Sequence, residues 1–224
     1  MATSIIDIQK VSHSYFRDDI EIPVLKQLTL NIEPASFVAL LGPSGSGKTT
    51  ILNLMAGFDR PMHGRISINQ INVSQLSERQ LARWRAKAIG FIFQFYNLIP
   101  VLTAAENVEL PLLLTSLSRA QRAKHVATAL RLVGLGDRMT HYPRQLSGGQ
   151  EQRVAIARAI VMDPAILLAD EPTGNLDSEA AEEIMILLQR LNAEQGKTIV
   201  LVTHDLEAAQ RATTICKLQK GRLV

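Results

Sequence analysis

The hydrophobic residues of this chain fall into short apolar runs separated by longer segments with helical periodicity. Three of the runs are wholly apolar, namely Phe37–Leu41, Ile166–Ala169 and Ile199–Val202. Strands that are covered by helices on both faces have this composition, and they occur mainly in parallel sheets. The alternation of such strands with helices predicts an α/β protein with a mainly parallel β-sheet.

Apolar runs nearer the start of the chain have a different pattern. Ile5–Val11, Leu28–Ile32 and Arg65–Ile71 alternate apolar and polar residues. A strand with one face on a core and the other in water shows this period of two. We therefore predict an antiparallel β layer beside the parallel sheet.

The segment 95–145 lacks strand patterning and is typical of helices joined by short turns. Thr103 and Glu106, like Ser118 and Gln121, stand three residues apart with the chemistry of a capping box. We predict that residues 95–145 form a helical subdomain. It would be inserted into an α/β core made of residues 1–94 and 146–224, the whole chain being one domain.

Composition narrows the class of protein without identifying it. The chain has 224 residues, a formal net charge of +3 and 46% hydrophobic residues, which excludes a disordered chain. The weak positive charge gives no reason to expect a nucleic-acid partner. No segment approaches the roughly 18–20 apolar residues of a membrane-spanning helix. The single cysteine, Cys216, excludes an internal disulfide, so we expect a protein of the cytoplasm, or one that a partner holds at a membrane.

A glycine-rich motif follows the first apolar run. Gly42–Thr49 has the sequence GPSGSGKT, which matches G-x-x-x-x-G-K-S/T. Its glycines let the backbone turn tightly, so that successive N–H groups make a concave anion site at the start of the next helix. Lys48 can reach the β- and γ-phosphates of a nucleotide, and the Thr49 hydroxyl can bind Mg²⁺. The motif predicts binding of a nucleoside triphosphate.

Acidic residues end the second apolar run. Asp170 and Glu171 directly follow it, and ligands of parallel sheets bind at the carboxyl ends of the strands. Asp170 is then placed to hold the Mg²⁺ shell, and Glu171 to act as general base on the attacking water. The alternative is that one acid caps the turn at residues 171–174. Gln94 and His204 end two further apolar runs and are predicted at the same edge of the sheet.

The segment Leu146–Gln150, with the sequence LSGGQ, identifies the family. It lies between the phosphate motif and the acidic strand, immediately before a helix predicted over Glu151–Met162. With the motifs above, it resembles the ATP-binding subunits of ABC transporters, and the resemblance covers essentially the whole chain. The segments 90–108 and 168–177 resemble the lipoprotein-releasing and macrolide-exporter branch. The resemblance implies a P-loop NTPase core of the ABC ATPase type, with ATP and Mg²⁺ as cofactors.

The resemblance also implies a role for each motif residue. The catalytic residues would be Lys48, Gln94, Glu171 and His204, and the Mg²⁺ ligands would be Thr49, Gln94 and Asp170. The residues in contact with ATP would be Tyr15, Gly42, Pro43, Ser44, Gly45, Ser46, Gly47, Lys48, Thr49, Thr50, Leu146, Ser147, Gly148, Gly149, Gln150 and Asp177. Tyr15 would stack on the adenine ring, with Phe16 as the rival for that position.

Partners are implied by the same resemblance. Two copies of the chain would sandwich two ATP molecules head to tail, each LSGGQ turn completing the site of the other copy. The dimer would power a membrane-embedded exporter, or a lipoprotein- or lipid-extracting machine, from the cytoplasmic side of the inner membrane. The apolar loop 95–102 would receive the transmembrane permease subunit, the alternative being that it packs into the helical subdomain. The alternative is a non-transporting ABC ATPase that drives a signalling or cell-wall regulatory membrane partner, and no nucleic acid is expected in either case.

Overall fold

A computed structural model describes residues 4–224, so residues 1–3 of the predicted core lie outside the described part of the chain. The strands are β1 (Ile6–Arg17), β2 (Ile20–Ile32), β3 (Phe37–Leu41), β4 (His63–Ile68), β5 (Ile71–Asn72), β6 (Ile89–Ile92), β7 (Ile166–Asp170), β8 (Thr198–Thr203), β9 (Thr214–Gln219) and β10 (Arg222–Leu223). The helices are α1 (Lys48–Ala56), α2 (Glu78–Ala88), α3 (Ala104–Glu109), α4 (Arg119–Leu132), α5 (Gly148–Ile160), α6 (Ser178–Gln195) and α7 (Leu206–Gln210). Short 3₁₀ helices cover Val73–Gln75, Leu110–Leu114 and Pro143–Gln145.

The larger sheet has six strands in the order β10-β9-β3-β8-β7-β6. β3 pairs in parallel with β8 and β9, and β7 pairs in parallel with β8 and β6, whereas β10 runs antiparallel to β9. The prediction of a mainly parallel sheet is confirmed. Because β3, β8, β7 and β6 share one direction, the segments that follow Leu41, Thr203, Asp170 and Ile92 lie along one edge.

The smaller sheet has four antiparallel strands in the order β2-β1-β4-β5. The alternating runs predicted this antiparallel layer, but the run Arg65–Ile71 is not one strand, since β4 ends at Ile68 and β5 begins at Ile71 after a turn at Asn69 and Gln70.

The prediction placed the second strand only at Leu28–Ile32, whereas β2 already begins at Ile20. The missed half contains Pro23, which has no N–H for a sheet ladder. β2 is an edge strand of this sheet, and Pro23 pairs with Ser14 of β1, so the proline is tolerated there.

Strand β3 shows why the apolar runs are continuous. Phe37 and Ala39 lie in one buried cluster, and Val38 and Leu40 lie in another. Successive side chains of a strand point to opposite faces of the sheet, so both faces of the large sheet are covered. One cluster includes residues of α3 to α6, and the other includes α1 and the small sheet. The parallel sheet is therefore the middle layer of the molecule.

The segment 95–145 contains α3, α4 and two of the 3₁₀ helices. Thr103 and Ser118 cap α3 and α4, and Glu106 and Gln121 complete the two capping boxes, which confirms these two helix starts. The limits of the inserted subdomain at residues 95 and 145 stay a prediction. Within residues 4–224, no helix combines the length and the apolar composition that crossing a membrane requires.

Gly90→Ala is expected to destabilise the fold by about 2 kcal/mol, because overpacking against backbone cannot relax easily. A Cβ atom on Gly90 would lie 2.4 Å from the Ala159 carbonyl oxygen in α5 and 2.6 Å from Leu167 Cδ2 in β7. Gly196→Ala is the control, since Gly196 has a φ of +62° but no atom within 4 Å of such a Cβ. It should cost about 1 kcal/mol for the left-handed backbone alone. Denaturant unfolding measures both, and equal costs would contradict the close packing of α5 on β6.

Candidate functional site

The phosphate motif forms the turn between β3 and α1. Gly45 and Gly47 have φ angles of 76° and 102°, in the left-handed region that glycine adopts most easily. Among the residues that the structure describes, no hydrogen-bond partner is found for the N–H groups of Gly45, Gly47, Lys48, Thr49 and Thr50. These donors converge with the positive end of α1. The turn is therefore a concave site to which an anion can bind.

A hairpin that the sequence analysis missed supports this turn. β9 and β10 are joined by Lys220 and Gly221, whose φ angles of 47° and 77° are those of a type I′ turn. The Gly221 N–H donates to the Ser46 carbonyl at 3.1 Å. A Cβ atom on Gly42 would lie 2.2 Å from the Leu218 carbonyl oxygen, so only glycine fits beside β9. The alternating residues of β9 and the Lys-Gly pair were the available sequence signals.

Lys48 lies inside the turn, with its side chain only 6% exposed. Its Nζ donates to the carbonyls of Gly42 at 2.7 Å and Pro43 at 3.1 Å. Glu171 Oε1 lies 3.7 Å from the same nitrogen. A buried ammonium requires hydrogen bonds and an opposite charge, and these three groups supply them. The turn thus holds a positive charge at its centre, next to the end of β7.

Asp170, the last residue of β7, faces the start of α1. The Thr49 hydroxyl donates to Asp170 Oδ1 at 3.2 Å. Burial raises the pKa of the Asp170 carboxyl above its ordinary value, and the Glu171 charge raises it further, whereas the Thr49 hydrogen bond and the Lys48 charge lower it. A carboxylate beside a hydroxyl at the mouth of an anion site is a donor set that suits a divalent cation held with phosphates.

Glu171 joins Lys48 to His204 across the strand ends. Its Oε2 lies 3.0 Å from His204 Nδ1, its side chain is 16% exposed, and its backbone has a φ of 44°. The Glu171 N–H donates to the Val202 carbonyl of β8, which fixes this unusual backbone. The carboxylate does not cap the following turn, which is closed by the backbone bond from Gly174 N–H to Glu171 O at 3.0 Å. The carboxylates of Asp170 and Glu171 therefore both contact side chains of the site, and neither is used to cap the turn at residues 171–174.

Gln94 follows β6 and lies near Glu171. A Cβ atom on Gly174 would lie 3.2 Å from Gln94 Nε2 and 3.6 Å from Glu171 Oε2, so both side chains border the space left by this glycine. The Asn175 amide donates to the Gln94 carbonyl at 3.0 Å. The structure thus brings together Gln94, Glu171 and His204 at one edge of the sheet. Sequence reasoning missed the part played by Asn175.

The segment Leu146–Gln150 lies apart from this group. α5 begins at Gly148, earlier than the predicted Glu151, because Ser147 caps the helix together with Gln150. The predicted end at residue 162 is also too late, since α5 ends at residue 160. Its capping hydrogen bonds are local. Among residues 4–224, no hydrogen bond joins this segment to the phosphate turn.

Asp177 also serves locally in this chain, as the N-cap of α6. Its side chain accepts a hydrogen bond from the Ala180 N–H at 2.8 Å. The capping bond orders the segment between Glu171 and α6. Like Leu146–Gln150, Asp177 makes no hydrogen bond to the phosphate turn within the described residues.

Tyr15 lies on β1 beside the start of α1. Its hydroxyl donates to Asp59 Oδ2 at 3.0 Å, and its side chain is 40% exposed. Burial raises the pKa of the Tyr15 hydroxyl, as does Asp59, whereas the neighbouring Thr50 hydroxyl lowers it. Phe16 is 61% exposed, and neighbouring residues of a strand point to opposite faces. Its position beside Thr50 favours Tyr15 over Phe16 as the aromatic that faces the phosphate turn.

Comparison with known proteins identifies the family. The family described as ABC transporter matches residues 25–174. The ABC transporter ATP-binding protein YtrE of Bacillus subtilis is 45% identical to 97% of this chain, over 96% of its own length. The chain belongs to the ABC transporter ATP-binding family. It is an ABC-type ATPase, which binds and hydrolyses ATP.

Solved structures of this ATPase family agree with the fold. A dimeric structure of MJ0796, a bacterial ABC transporter cassette by its description, has a TM-score of 0.90 and 45% identity over 97% of this chain and 96% of that one. A second dimer of MJ0796, described as a post-hydrolysis state bound to ADP and Pi, has a TM-score of 0.89. The MJ0796 sequence is from Methanocaldococcus jannaschii. The P-loop ABC ATPase fold is confirmed.

Longer relatives contain a region similar to this chain as one part. The macrolide export ATP-binding/permease protein MacB of Hyphomonas neptunium is 44% identical to the whole of this chain, which spans 35% of that protein. The predicted relationship to the macrolide-exporter branch is confirmed by this similarity.

Asp170→Asn is expected to raise the free energy of unfolding of the nucleotide-free ATPase at neutral pH. The folded-state pKa of Asp170 is raised, so its charge destabilises the fold above that pKa, and the penalty is absent below the unfolded-state pKa. The advantage of the variant should therefore shrink as the pH falls to about 4. Denaturant unfolding at both pH values measures it. A variant less stable than the wild type at neutral pH would mean that the Thr49 hydrogen bond outweighs burial.

Proposed function

We propose that this ATPase powers a membrane-embedded exporter, or a machine that extracts lipoproteins or lipids, as a head-to-tail homodimer that closes on Mg-ATP. The observation that carries the proposal is the position of Glu171 between Lys48 and His204 at the mouth of the phosphate turn. A carboxylate held there can accept a proton from water beside the terminal phosphate. The similarity to the MacB export protein supports the link to export.

The phosphate turn would bind ATP by its free N–H groups and by Lys48. Lys48 Nζ now donates to two carbonyls of the turn, and the γ-phosphate would offer it stronger, charged acceptors. Mg²⁺ would neutralise part of the phosphate charge, held by Thr49, Asp170 and Gln94. The 3.2 Å contact between Thr49 and Asp170 already brings two of these ligands together.

Glu171 would act as the general base, and His204 would orient it. The left-handed backbone of Glu171, fixed by its N–H bond to β8, aims the carboxylate toward the turn. His204 Nδ1 at 3.0 Å from Oε2 leaves Oε1 on the Lys48 side. Arrival of the γ-phosphate would draw Lys48 away from Glu171 and leave the carboxylate free to take the proton of the attacking water.

A second copy of the chain would complete each site. Within the described part of the chain, Leu146–Gln150 and Asp177 are hydrogen-bonded locally and make no hydrogen bond to the phosphate turn of their own chain. The N-terminus of α5, a helix of 13 residues capped by Ser147, suits an anion. In a head-to-tail dimer it would face the γ-phosphate of the other copy. The dimers described for MJ0796, at 45% identity, support this arrangement.

Glu171→Gln is expected to bind Mg-ATP and to form the ATP-dependent dimer, while ATP hydrolysis falls at least about a hundredfold. The amide keeps the shape of the carboxylate but cannot accept the proton. Phosphate release measures turnover, and analytical ultracentrifugation with ATP measures the dimer.

The matched control for this variant is Glu194→Gln. Glu194 is an exposed acid that pairs with Arg190 on the outside of α6, so this change should leave turnover and dimerisation as in the wild type. Brisk hydrolysis by Glu171→Gln would refute the assignment of the base. Loss of ATP binding by Glu171→Gln would refute the prediction that Glu171 is needed for hydrolysis but not for binding.

The loop 95–102 would dock the permease on the cytoplasmic side of the inner membrane. Phe95 and Val101 are 66% and 76% exposed, whereas Leu98 packs against the core. Leu98 therefore holds the loop against the core, and apolar side chains are presented to solvent on either side of it. Such side chains next to a nucleotide-contacting residue, Gln94, are suited to a partner that responds to ATP.

A groove of about 690 Å³ between α2 and the Leu110–Leu114 segment is a second candidate contact for the permease. Its cations are Arg79, Arg83 and Lys87, and none of them forms an ion pair within the described residues. Leu114 in the same groove is 81% exposed. We infer that the docking segment of the permease is an apolar helix that carries carboxylates.

Val101→Asp is expected to weaken association with the membrane partner by about tenfold or more, because it places a charge in an apolar contact. The affinity of the isolated ATPase for ATP should not change. The tagged variant and the wild type are used to capture partners from native membranes in mild detergent, with quantification by mass spectrometry. Ile71→Asp, on the small sheet and 43% exposed, is the control. Equal recovery of a multi-spanning partner by both variants would exclude docking at this loop.

A further inference from the structure

Gln152 in α5 is a fully buried polar side chain that no motif explains. Its exposure is 0%, and its Nε2 donates to the Pro172 carbonyl at 2.8 Å and to the more distant Phe93 carbonyl at 3.4 Å. Within residues 4–224, its Oε1 has no hydrogen-bond partner. The protein therefore uses the donor end of this amide and leaves the acceptor end unpaired.

An unpaired buried acceptor destabilises a fold. A methionine at the same position would fill nearly the same space without that penalty, so the need to fill the core does not explain a glutamine there. The explanation must lie in the two carbonyls that the amide binds.

Those carbonyls border the two residues to which the chemistry of hydrolysis is assigned. Phe93 directly precedes Gln94, and Pro172 directly follows Glu171. Both lie beyond the last residue pair of the β6–β7 ladder. Among the described residues, no sheet hydrogen bond joins the two segments past that point, and the Gln152 amide bridges them at Phe93 and Pro172, next to the Asn175 amide, which binds the Gln94 carbonyl.

The same helix also holds the rest of the loop that begins at Phe93. Arg158 donates to the carbonyls of Tyr96 at 2.8 Å and Asn97 at 2.6 Å, and Asn175 donates to that of Gln94 at 3.0 Å. With the bond from Gln152, side chains bind four of the five carbonyls from residue 93 to residue 97. This loop has no strand or helix of its own, so its shape depends on α5 and on the segment after β7.

We propose that Gln152 is a positioning residue that holds Gln94 and Glu171 at the separation hydrolysis requires, and that it couples them to α5. The N-terminus of α5 is the LSGGQ turn, so a displacement of this helix on dimer closure reaches both residues through one amide. Gln152 itself contacts no phosphate. The inference rests on the roles proposed above for Gln94 and Glu171.

The test compares Gln152→Met with the wild type, alone and combined with Gln94→Ala, in the full chain. Gln152→Met should lower kcat about tenfold, the effect of one hydrogen bond, with KM for ATP changed less than about twofold. If the bridge acts through Gln94, the same substitution should cost less than about threefold in the Gln94→Ala background. Rates are expressed per ATP-bound chain, so that partial unfolding does not imitate a catalytic loss.

Two further variants separate positioning from packing. Gln189→Met removes a partly exposed amide of α6, which donates to the Arg211 carbonyl at 3.0 Å and makes no hydrogen bond to Gln94 or Glu171 within the described residues, and it should leave kcat as in the wild type. Gln152→Glu can donate a proton only when its carboxyl is neutral, and burial favours that form. Its activity relative to the wild type should therefore rise as the pH falls from about 8 to about 6.

The proposal is overturned by any of three results. The first is an unchanged kcat in Gln152→Met with a lowered unfolding midpoint, which would make the residue a packing element. The second is the same fold-loss in both Gln94 backgrounds. The third is a Gln152→Glu pH profile parallel to that of the wild type. Wild-type hydrolysis by Glu171→Gln would instead refute the proposed base, and the comparison of the two Gln94 backgrounds would still decide the role of Gln152.

Discussion

The buried Lys48 ammonium sets the requirements that the rest of the site meets. A charge with 6% exposure is tolerated only when acceptors and an opposite charge surround it. The phosphate turn supplies two carbonyls, and the strand order β3-β8-β7 brings Glu171 within 3.7 Å. The same carboxylate then meets His204. The parallel sheet is thus the means by which residues more than 100 positions apart in the chain neutralise one lysine.

Helix α5 connects this charged centre to the surfaces that would meet other proteins. Its first turn carries the LSGGQ sequence, its buried face holds Gln152, and its far end holds Arg158. Because Gly90 has no side chain, β6 packs so closely against α5 that a Cβ atom would not fit between them. A rigid helix that packs closely on β6 and binds the following loop can pass a small displacement to the strand ends. Packed elements of this kind move as units rather than deform.

One chain contains every residue predicted to bind phosphate but does not bring all of them together. The phosphate turn, Asp170, Glu171 and His204 assemble within the chain, whereas Leu146–Gln150 and Asp177 are occupied by helix capping. Capping prepares these segments, because it orders a helix N-terminus whose dipole remains directed at solvent. If the site is divided in this way, ATP would stabilise the dimer, because each nucleotide would bind groups from both copies of the chain.

Features that depend on neighbouring residues could be predicted from the amino-acid sequence. The GPSGSGKT turn, the capping boxes at Thr103 and Ser118 and the wholly apolar strands are local, because backbone geometry and periodicity decide them within a few residues. Tertiary structure decided what depends on distant partners. The β9–β10 hairpin supports the phosphate turn through Gly221, and β2 accepts Pro23 because β2 lies at the edge of its sheet. The proposed role of Gln152 depends on carbonyls that are 20 and 59 residues away in the chain. Such contacts form only when the fold brings separate segments together, so no pattern within one segment could reveal them.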